Sequence, residues 1–178
     1  MPVLIITGPP GAGKSTVAAL VAGRSPRSVC LEADWFWTAI AAGRIDPWLP
    51  EADEQNRTML RSAAAAAAAM DEGGYDTVLE GIVGPWMLDV VRPVLGPLDY
   101  VVLRPDLDTC LSRATHRSAA PRVAGHPPLT DTGPIRHMWQ QFTELAEMES
   151  HAIDTAGLSE AQSADAVLAA RRSGELRL

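Results

Sequence analysis

A glycine-rich segment near the start of the chain has the residue types and spacing needed to bind phosphate groups. Residues 8–15 read GPPGAGKS and match the pattern G-x-x-x-x-G-K-S/T at every fixed position. Glycines let a backbone adopt positive φ and approach a ligand closely, so the amides of 11–15 would point at phosphate oxygens. Lys14 would neutralise the β- and γ-phosphates, and the Ser15 hydroxyl would ligate magnesium. The residues predicted to contact a nucleoside triphosphate are Gly8, Gly11, Ala12, Gly13, Lys14, Ser15 and Thr16.

Lys14 is the only lysine among the 15 basic residues, the others being arginines. Two classes of nucleotide-binding protein are thereby excluded. A GTPase needs a second lysine in its guanine-reading NKxD motif, and a protein kinase needs one on its third strand.

Two carboxylates follow the second predicted strand, in the sequence LEADWF at residues 31–36. Ligands of parallel sheets bind at the carboxyl ends of strands, so Glu32 and Asp34 should project towards the γ-phosphate. Alternate strand residues share a face, which would place both near one spot. One carboxylate would hold a water on the metal and the other would accept the proton of an attacking hydroxyl. The alternative is a helix start with Asp34 as its N-cap.

A third carboxylate ends the next predicted strand, in TVLEG at residues 77–81. Glu80 would organise magnesium through water or bind a substrate hydroxyl, and Gly81 leaves room for either. The alternative is a surface glutamate at the start of a loop.

Arginines of the second half of the chain are candidates for closing over the phosphates. Arg113 and Arg117 are four residues apart, on one face of a predicted helix. Arg122 lies in a segment rich in proline and glycine at residues 118–134, which is expected to form a flap. The alternative is a solvated basic helix end beside its own dipole.

Aromatic side chains cluster just after the candidate base. The chain has five tryptophans against two phenylalanines, and Trp35, Trp37 and Trp48 lie close together in sequence. A flat indole suits stacking on a sugar or ring system, although core packing of a short helix is the alternative. The polar and charged residues between 44 and 57 could read a polyhydroxylated acceptor by hydrogen bonds, and Arg44 and Arg57 could equally hold a carboxylate substrate. The residues predicted to bind the acceptor are Asp34, Trp37, Trp48, Arg57 and Glu80.

These side chains require an alternating α/β framework. Apolar runs predict strands at 3–7, 28–32, 77–81, 99–105 and 151–154. A helical pattern follows the phosphate-binding segment, and others occur at 35–40, 51–72, 86–94, 106–117, 135–149 and 159–172. The pattern at 51–72 includes an alanine stretch at 63–69. The alternation predicts βαβ units, a mostly parallel five-stranded sheet with helices on both faces, and one domain over 1–178.

The order GPPGAGKS, then LEAD, then an arginine-rich segment after the fourth strand resembles the small P-loop kinases of the AAA type that phosphorylate metabolites. Gluconate kinase, shikimate kinase and chloramphenicol phosphotransferase are members, and zeta-toxin-like kinases are more distant relatives. The resemblance implies a three-layer P-loop NTPase fold, ATP and Mg²⁺ as cofactors, and an arginine-containing lid over about residues 113–134.

The same resemblance implies roles for individual residues. Glu32 would be in the magnesium shell and Asp34 would be the substrate-binding base. Arg113, Arg117 and Arg122 would close over ATP, stabilise the transferring phosphoryl group and exclude water. Asp154, with residues 155–157, resembles the loop that backs the adenine ring.

The leading functional prediction is a kinase that moves the γ-phosphoryl of ATP to a hydroxyl of a metabolite or antibiotic. A toxin-type kinase acting on a nucleotide sugar is the second. An ATP-hydrolysing switch without a small-molecule acceptor is the third, although the chain shows no Walker B aspartate–glutamate pair.

Composition and charge narrow the partners further. Hydrophobic residues make up 47% of the chain and charged residues 21%, which excludes a mainly disordered protein. The formal charge of −7 argues against broad binding to nucleic acid or anionic membrane. The partner that the predicted kinase implies is a small-molecule substrate. A homodimer is left open.

The chain has no apolar run of membrane-spanning length and no signal-peptide pattern, so we expect a cytoplasmic protein in which Cys30 and Cys110 are reduced and buried.

Overall fold

A computed structural model describes residues 1–115 and 130–178, and its centre is a parallel sheet of five strands. The strands are β1 (Leu4–Thr7), β2 (Ser28–Glu32), β3 (Asp76–Glu80), β4 (Asp99–Leu103) and β5 (Ala152–Ile153). Their order across the sheet is β2-β3-β1-β4-β5, and every neighbouring pair is parallel. All five carboxyl ends therefore meet at one end of the sheet, called here the carboxyl end; the opposite end is the amino end.

Helices follow the strands and cover both faces of the sheet. They are α1 (Lys14–Ala22), α2 (Asp34–Thr38), α3 (Asp53–Glu72), α4 (Leu88–Leu95), α5 (Leu107–Thr115), α6 (Thr132–Gln140) and α7 (Glu160–Ser173). Short 3₁₀ helices occupy Pro50–Ala52, Pro85–Met87 and Ala146–His151.

The alternation of side chains along β1 separates two cores. Leu4 and Ile6 face α1 and α7, in a cluster that includes Val17 and Val167. Ile5 faces the opposite layer, which α3 and α4 contribute. β1 and β4 carry buried side chains on both faces of the sheet, and both strands are largely hydrophobic runs, as expected for strands covered on both sides. The predicted three-layer α/β fold is confirmed.

The alanine stretch allows close packing of α3. Ala63, Ala64 and Ala67 are fully buried against the sheet layer shared with α4. Small side chains let this long helix lie near β3, so the stretch reflects packing as well as helix propensity.

The prediction that both thiols are buried was wrong for Cys30. Cys110 is buried in α5, but Cys30 is exposed on β2. β2 is the edge strand and pairs with β3 alone, so its faces are only partly covered.

The predicted helix over 135–149 is also different in the structure. α6 begins at Thr132, where the Asp131 side chain accepts the Gly133 N–H at 3.0 Å, and it ends at Gln140. The chain then turns so that Phe142 and Leu145 can both enter the core. The Arg104 guanidinium, 3.4 Å from the carbonyls of residues 142 and 143, takes the hydrogen bonds that a continuing helix would have formed. Residues 132–134 of the predicted flap thus lie in α6, and residues 116–129 lie outside the described part.

Paired charges fix the amino end of the sheet. Arg171 contacts Asp76 at 3.0 Å and Asp99 at 3.1 Å, and it donates to the Pro2 carbonyl at 2.8 Å. Arg177 contacts Asp99 at 2.8 Å. The last residues of the chain pair with the start of β4, where the N–H of Leu178 donates to the Leu98 carbonyl at 2.9 Å.

Within residues 1–115 and 130–178, the helices are all too short or too polar to cross a bilayer.

Candidate active site

The phosphate-binding segment forms a tight loop between β1 and α1, called here the phosphate loop. Gly8, Gly11 and Gly13 have φ of 144°, 83° and 89°. A Cβ atom on Gly8 would lie 2.2 Å from the carbonyl oxygen of Leu103, and one on Gly11 would lie 2.2 Å from that of Cys110. Glycine is therefore required both for backbone conformation and for the close approach of the loop to β4 and α5.

The start of α1 is suited to an anion. Gly13 is its N-cap, no side chain caps it, and its first turn carries no acidic residue. N–H groups at such a helix start, together with the helix dipole, favour phosphate. Lys14 is buried and its Nζ donates to the Pro9 carbonyl at 3.1 Å, which folds the ammonium back along the loop.

Glu80 lies buried beside the phosphate loop. It ends β3, is 3% exposed, and is paired in register with Glu32 of β2. Burial raises the pKa of the Glu80 carboxyl, and the negative charges of Asp34 and Glu32 raise it further. Lys14 and a hydrogen bond from the Ser15 hydroxyl oppose that rise. This position excludes the alternative of a solvent-exposed glutamate and puts Glu80 against both reactive side chains of the loop.

Asp34 reaches the same region by a different route from the one predicted. It is the first residue of α2 and is exposed, with Ala33 as the N-cap, so strand alternation does not position it. The Ala33 N–H donates to the Glu80 carbonyl at 2.8 Å, and a Cβ on Gly81 would lie 2.8 Å from that of Ala33. These contacts join the ends of β2 and β3 and bring the charge of Asp34 within electrostatic reach of Glu80.

The oxygens at this end of the sheet suit Mg²⁺ held jointly with a nucleotide. Mg²⁺ takes oxygen ligands, keeps several waters, and is usually bound through one or two carboxylates plus substrate phosphates. The Ser15 hydroxyl and the carboxylates of Glu32 and Glu80 provide such a set. In the described part of the chain, no group of three or more histidine, cysteine or acidic side chains has the geometry of a metal site by itself.

Of the three arginines predicted for the lid, Arg113 lies in the described part of the chain. It is in the last turn of α5, and a Cβ on Gly13 would lie 3.8 Å from its Nη1 atom. Its guanidinium is thus beside the phosphate loop. Arg117 and Arg122 lie outside the described residues.

Asp154 lines a cavity at the carboxyl end of β4 and β5. The cavity has a volume of about 310 Å³, and its other lining residues are Arg104, Pro105, Asp106, Trp139 and Thr143. Asp154 accepts the Ala156 N–H at 2.8 Å, and the Trp139 indole donates to the Pro105 carbonyl at 3.1 Å. These bonds define the shape of its wall.

The tryptophans separate into packed and exposed side chains. Trp37 packs against the core and donates its indole N–H to Asn56 at 2.8 Å, and Trp48 is half-buried. Trp35 is 63% exposed and Trp86 is 43% exposed. The sequence interpretation did not select these two for the acceptor site, although each follows the carboxyl end of a strand by only a few residues.

Arg57 is paired with Asp89 of α4, and both side chains are substantially exposed. The pair lies on a groove of about 440 Å³ between α3 and α4. The charge of Arg57, predicted to hold an acceptor carboxylate, is therefore matched within the protein.

Comparison with known proteins gives a family and several solved structures of the same fold. The family model described as an AAA domain matches residues 3–145. A sugar kinase from a Janibacter species has 21% identity and a TM-score of 0.67, with 99% of this chain and 94% of that chain covered. The tunicamycin resistance protein of Deinococcus radiodurans has 19% identity and a TM-score of 0.69, with 97% and 95% covered.

Shikimate kinase from Acinetobacter baumannii, solved in complex with shikimate, has 19% identity and a TM-score of 0.61, with 99% of this chain and 96% of that chain covered. At these identities the likeness shows the fold. A search of curated protein sequences finds no match to this chain.

Proposed function

Because the chain belongs to the AAA-domain family of P-loop proteins, we propose that it is a kinase that transfers the γ-phosphoryl of Mg-ATP to a hydroxyl of a small molecule. The P-loop fold and its kinase neighbours support a phosphotransferase that uses a nucleotide. The hydroxyl acceptor and the roles of individual residues are further elements of the proposal.

The observation that carries the proposal is the convergence of three kinds of group at the carboxyl end of the sheet. Lys14 and the start of α1 would bind phosphate, and the hydrogen-bonded oxygens of Ser15 and Glu80 would hold a metal. Asp34 adds an exposed carboxylate next to them. Phosphoryl transfer needs these three functions: charge neutralisation, a metal, and a base aimed at the acceptor.

In the reaction, the acceptor hydroxyl oxygen forms a bond to the γ-phosphorus while the bond to the β–γ bridging oxygen breaks and ADP leaves. A carboxylate oxygen of Asp34 takes the hydroxyl proton. Lys14 and the loop amides neutralise the charge that passes to the β-phosphate. Bound Mg²⁺ supplies further neutralisation of the phosphate oxygens, and Ser15, Glu80 and Glu32 would hold it.

Residues beside the phosphate loop complete the proposed site. Arg113 would contact the transferring phosphoryl group, and we propose that Arg117 and Arg122 join it in a lid over about 113–134 of a single domain. Closure of such a lid excludes water and so prevents simple hydrolysis of ATP. The cavity beside Asp154 would take the base of the nucleotide.

The proposed function is tested by ADP release from Mg-ATP with pooled acceptors. The pools are sugar acids, nucleosides, nucleotide sugars and hydroxylated antibiotics, assayed with wild type and with Lys14→Ala. We expect one pool to raise turnover above the basal rate in wild type and not in Lys14→Ala, with circular dichroism confirming that the variant is folded. A response to the nucleotide-sugar pool would identify the second candidate. Steady hydrolysis that no pool stimulates would overturn the kinase proposal in favour of an ATP-driven switch.

A further inference from the structure

Resting on that proposed function, we propose that the acceptor is a neutral or positively charged hydroxyl compound with a flat apolar face, recognised by Trp35 and Trp86.

Both indoles are exposed at the end of the sheet where the transfer would occur. Trp35 follows β2 and is next to Asp34, and Trp86 follows the neighbouring strand β3. The two connecting segments touch where Gly81 meets Ala33. A single exposed aromatic needs no explanation, but two that follow the carboxyl ends of neighbouring strands, one of them adjacent in sequence to Asp34, provide apolar surface that a bound acceptor would cover.

The segment that carries Trp86 is held rigidly. The Thr7 hydroxyl accepts the Val83 N–H at 2.8 Å, and the Tyr100 hydroxyl donates to the Val83 carbonyl at 2.8 Å. Burial raises the pKa of Tyr100, so its hydroxyl keeps the donated proton. β1 and β4 therefore fix this backbone from two sides, and a preorganised surface loses little conformational freedom when a ligand binds.

The Trp86 ring is also packed in place. It covers Gly84, where a Cβ would lie 2.3 Å from the indole. The ring also packs against Phe142, at a centroid distance of 5.3 Å and a tilt of 57°. One side of the ring is thus supported by the protein while the side chain stays 43% exposed.

The charges near these indoles disfavour an acidic acceptor. Residues 32–57 contain six acidic and only two basic residues. One of those two, Arg57, is paired with Asp89. Lys14 and Arg113, which lie beside the phosphate loop, are assigned to the nucleotide phosphates. A carboxylate acceptor beside Asp34 would therefore meet the negative field of Glu32, Asp34 and Glu80, whereas a neutral or cationic one would not be repelled.

Three probes with the same ring and the same primary hydroxyl separate the charge classes: 1,4-benzenedimethanol is neutral, 4-(aminomethyl)benzyl alcohol is cationic, and 4-(hydroxymethyl)benzoate is anionic. Their dissociation constants are measured by ligand-observed NMR on Mg-ADP-saturated protein. We expect the neutral and cationic probes to bind about tenfold more tightly than the anion. Equal or tighter binding of the anion, or binding of none of the three, would overturn the proposal.

Variants then test the two indoles. Trp35→Ala and Trp86→Ala should each weaken the neutral probe about fivefold, whereas Trp35→Phe and Trp86→Phe should retain binding because a flat ring remains. Tyr75→Ala removes an exposed aromatic at the amino end and should change nothing. Unchanged binding in both Trp→Ala variants, with thermal melts that match wild type, would refute the role of the indoles.

The probe measurement needs no turnover. Failure of acceptor recognition therefore shows in the dissociation constants, and failure of the kinase proposal shows in the pooled-acceptor assay.

Discussion

The two ends of one sheet bury charge in opposite ways. At the amino end, Arg171 and Arg177 face Asp76 and Asp99, so two guanidiniums match two carboxylates. At the carboxyl end, Glu80 is buried with Glu32 and Asp34 nearby, and Lys14 is the cation that opposes them. The first cluster is balanced within the protein, whereas the charges that act on Glu80 are two carboxylates against one ammonium.

This difference distinguishes charged residues that stabilise the fold from charged residues that would bind a ligand. Buried ions are tolerated when oppositely charged partners compensate them, as at Arg171, which faces two carboxylates. Beside the phosphate loop, burial raises the pKa of Glu80 and the charges of Asp34 and Glu32 add to the rise, which is a cost in the ligand-free protein. A magnesium ion carried by the nucleotide would remove that cost, so a buried carboxylate with a raised pKa beside this loop supports a metal–nucleotide site.

The largest expected effect is a loss of stability on mutation of the amino-end cluster. Arg171→Ala leaves Asp76 and Asp99 with less compensation in a buried site, and we expect a loss of about 3–5 kcal/mol in the free energy of unfolding. Urea denaturation measures it. Arg24→Ala, which removes an exposed pair with Asp165, is the control and should cost about 1 kcal/mol or less. Similar losses in the two variants would show that the amino-end cluster does not stabilise the fold as described.

The next largest effect is expected on phosphoryl transfer, from a mutation at the carboxyl end. Asp34→Asn keeps the shape of the side chain but removes the base, so acceptor-dependent transfer should fall by roughly 100-fold or more. Binding of Mg-ATP should stay nearly unchanged, and Asp71→Asn at the far end of α3 should be neutral for both. Loss of ATP binding in Asp34→Asn would instead assign this carboxylate to the metal.

The smallest expected effect concerns stability and pH. Because the folded-state pKa of Glu80 is raised, the native state holds a proton more tightly than the unfolded state does, and stability falls as pH rises from the ordinary glutamate pKa through the raised one. Glu80→Gln should therefore stabilise the nucleotide-free protein at neutral pH, on the order of 1 kcal/mol or about 2–4 °C in Tm, and lose that gain in acid.

Thermal melts at several pH values check this prediction, with Glu72→Gln on the exposed end of α3 as the control. A Tm difference that does not change with pH would contradict the assignment. The same substitution should weaken Mg-ATP binding.

Local patterns explain why much of the fold could be predicted. The phosphate loop is a contiguous motif, and the buried strands are short branched runs between glycines and helices, so neither depends on distant contacts. The ends of α6 could not be predicted, because the helix ends where Arg104 takes the carbonyls of a segment nearly forty residues away. Exposure of Cys30 likewise follows from the place of β2 at the sheet edge.

The arrangement of side chains at the site could be predicted only in part, because it too depends on contacts between distant segments of the chain. The spacing Glu32-Ala33-Asp34 indicated two carboxylates at one place, but a short helix rather than a strand positions the second. The packing of Trp37 could not be predicted, because its hydrogen-bond partner Asn56 lies on a separate helix, and neither could the exposure of Trp35. Burial of Glu80 arises from the pairing of β2 with β3 and from Ser15, which no local pattern contains.

The central claim is that the carboxyl-end cluster binds a metal–nucleotide, and calorimetric titration of Mg-ATP tests it most directly. Wild type should bind Mg-ATP, binding should weaken when magnesium is chelated, and Lys14→Ala should bind about 30-fold or more weakly because a buried charge contact is lost. Arg24→Ala should bind as wild type does. Equal affinity of wild type and Lys14→Ala for Mg-ATP would contradict the account.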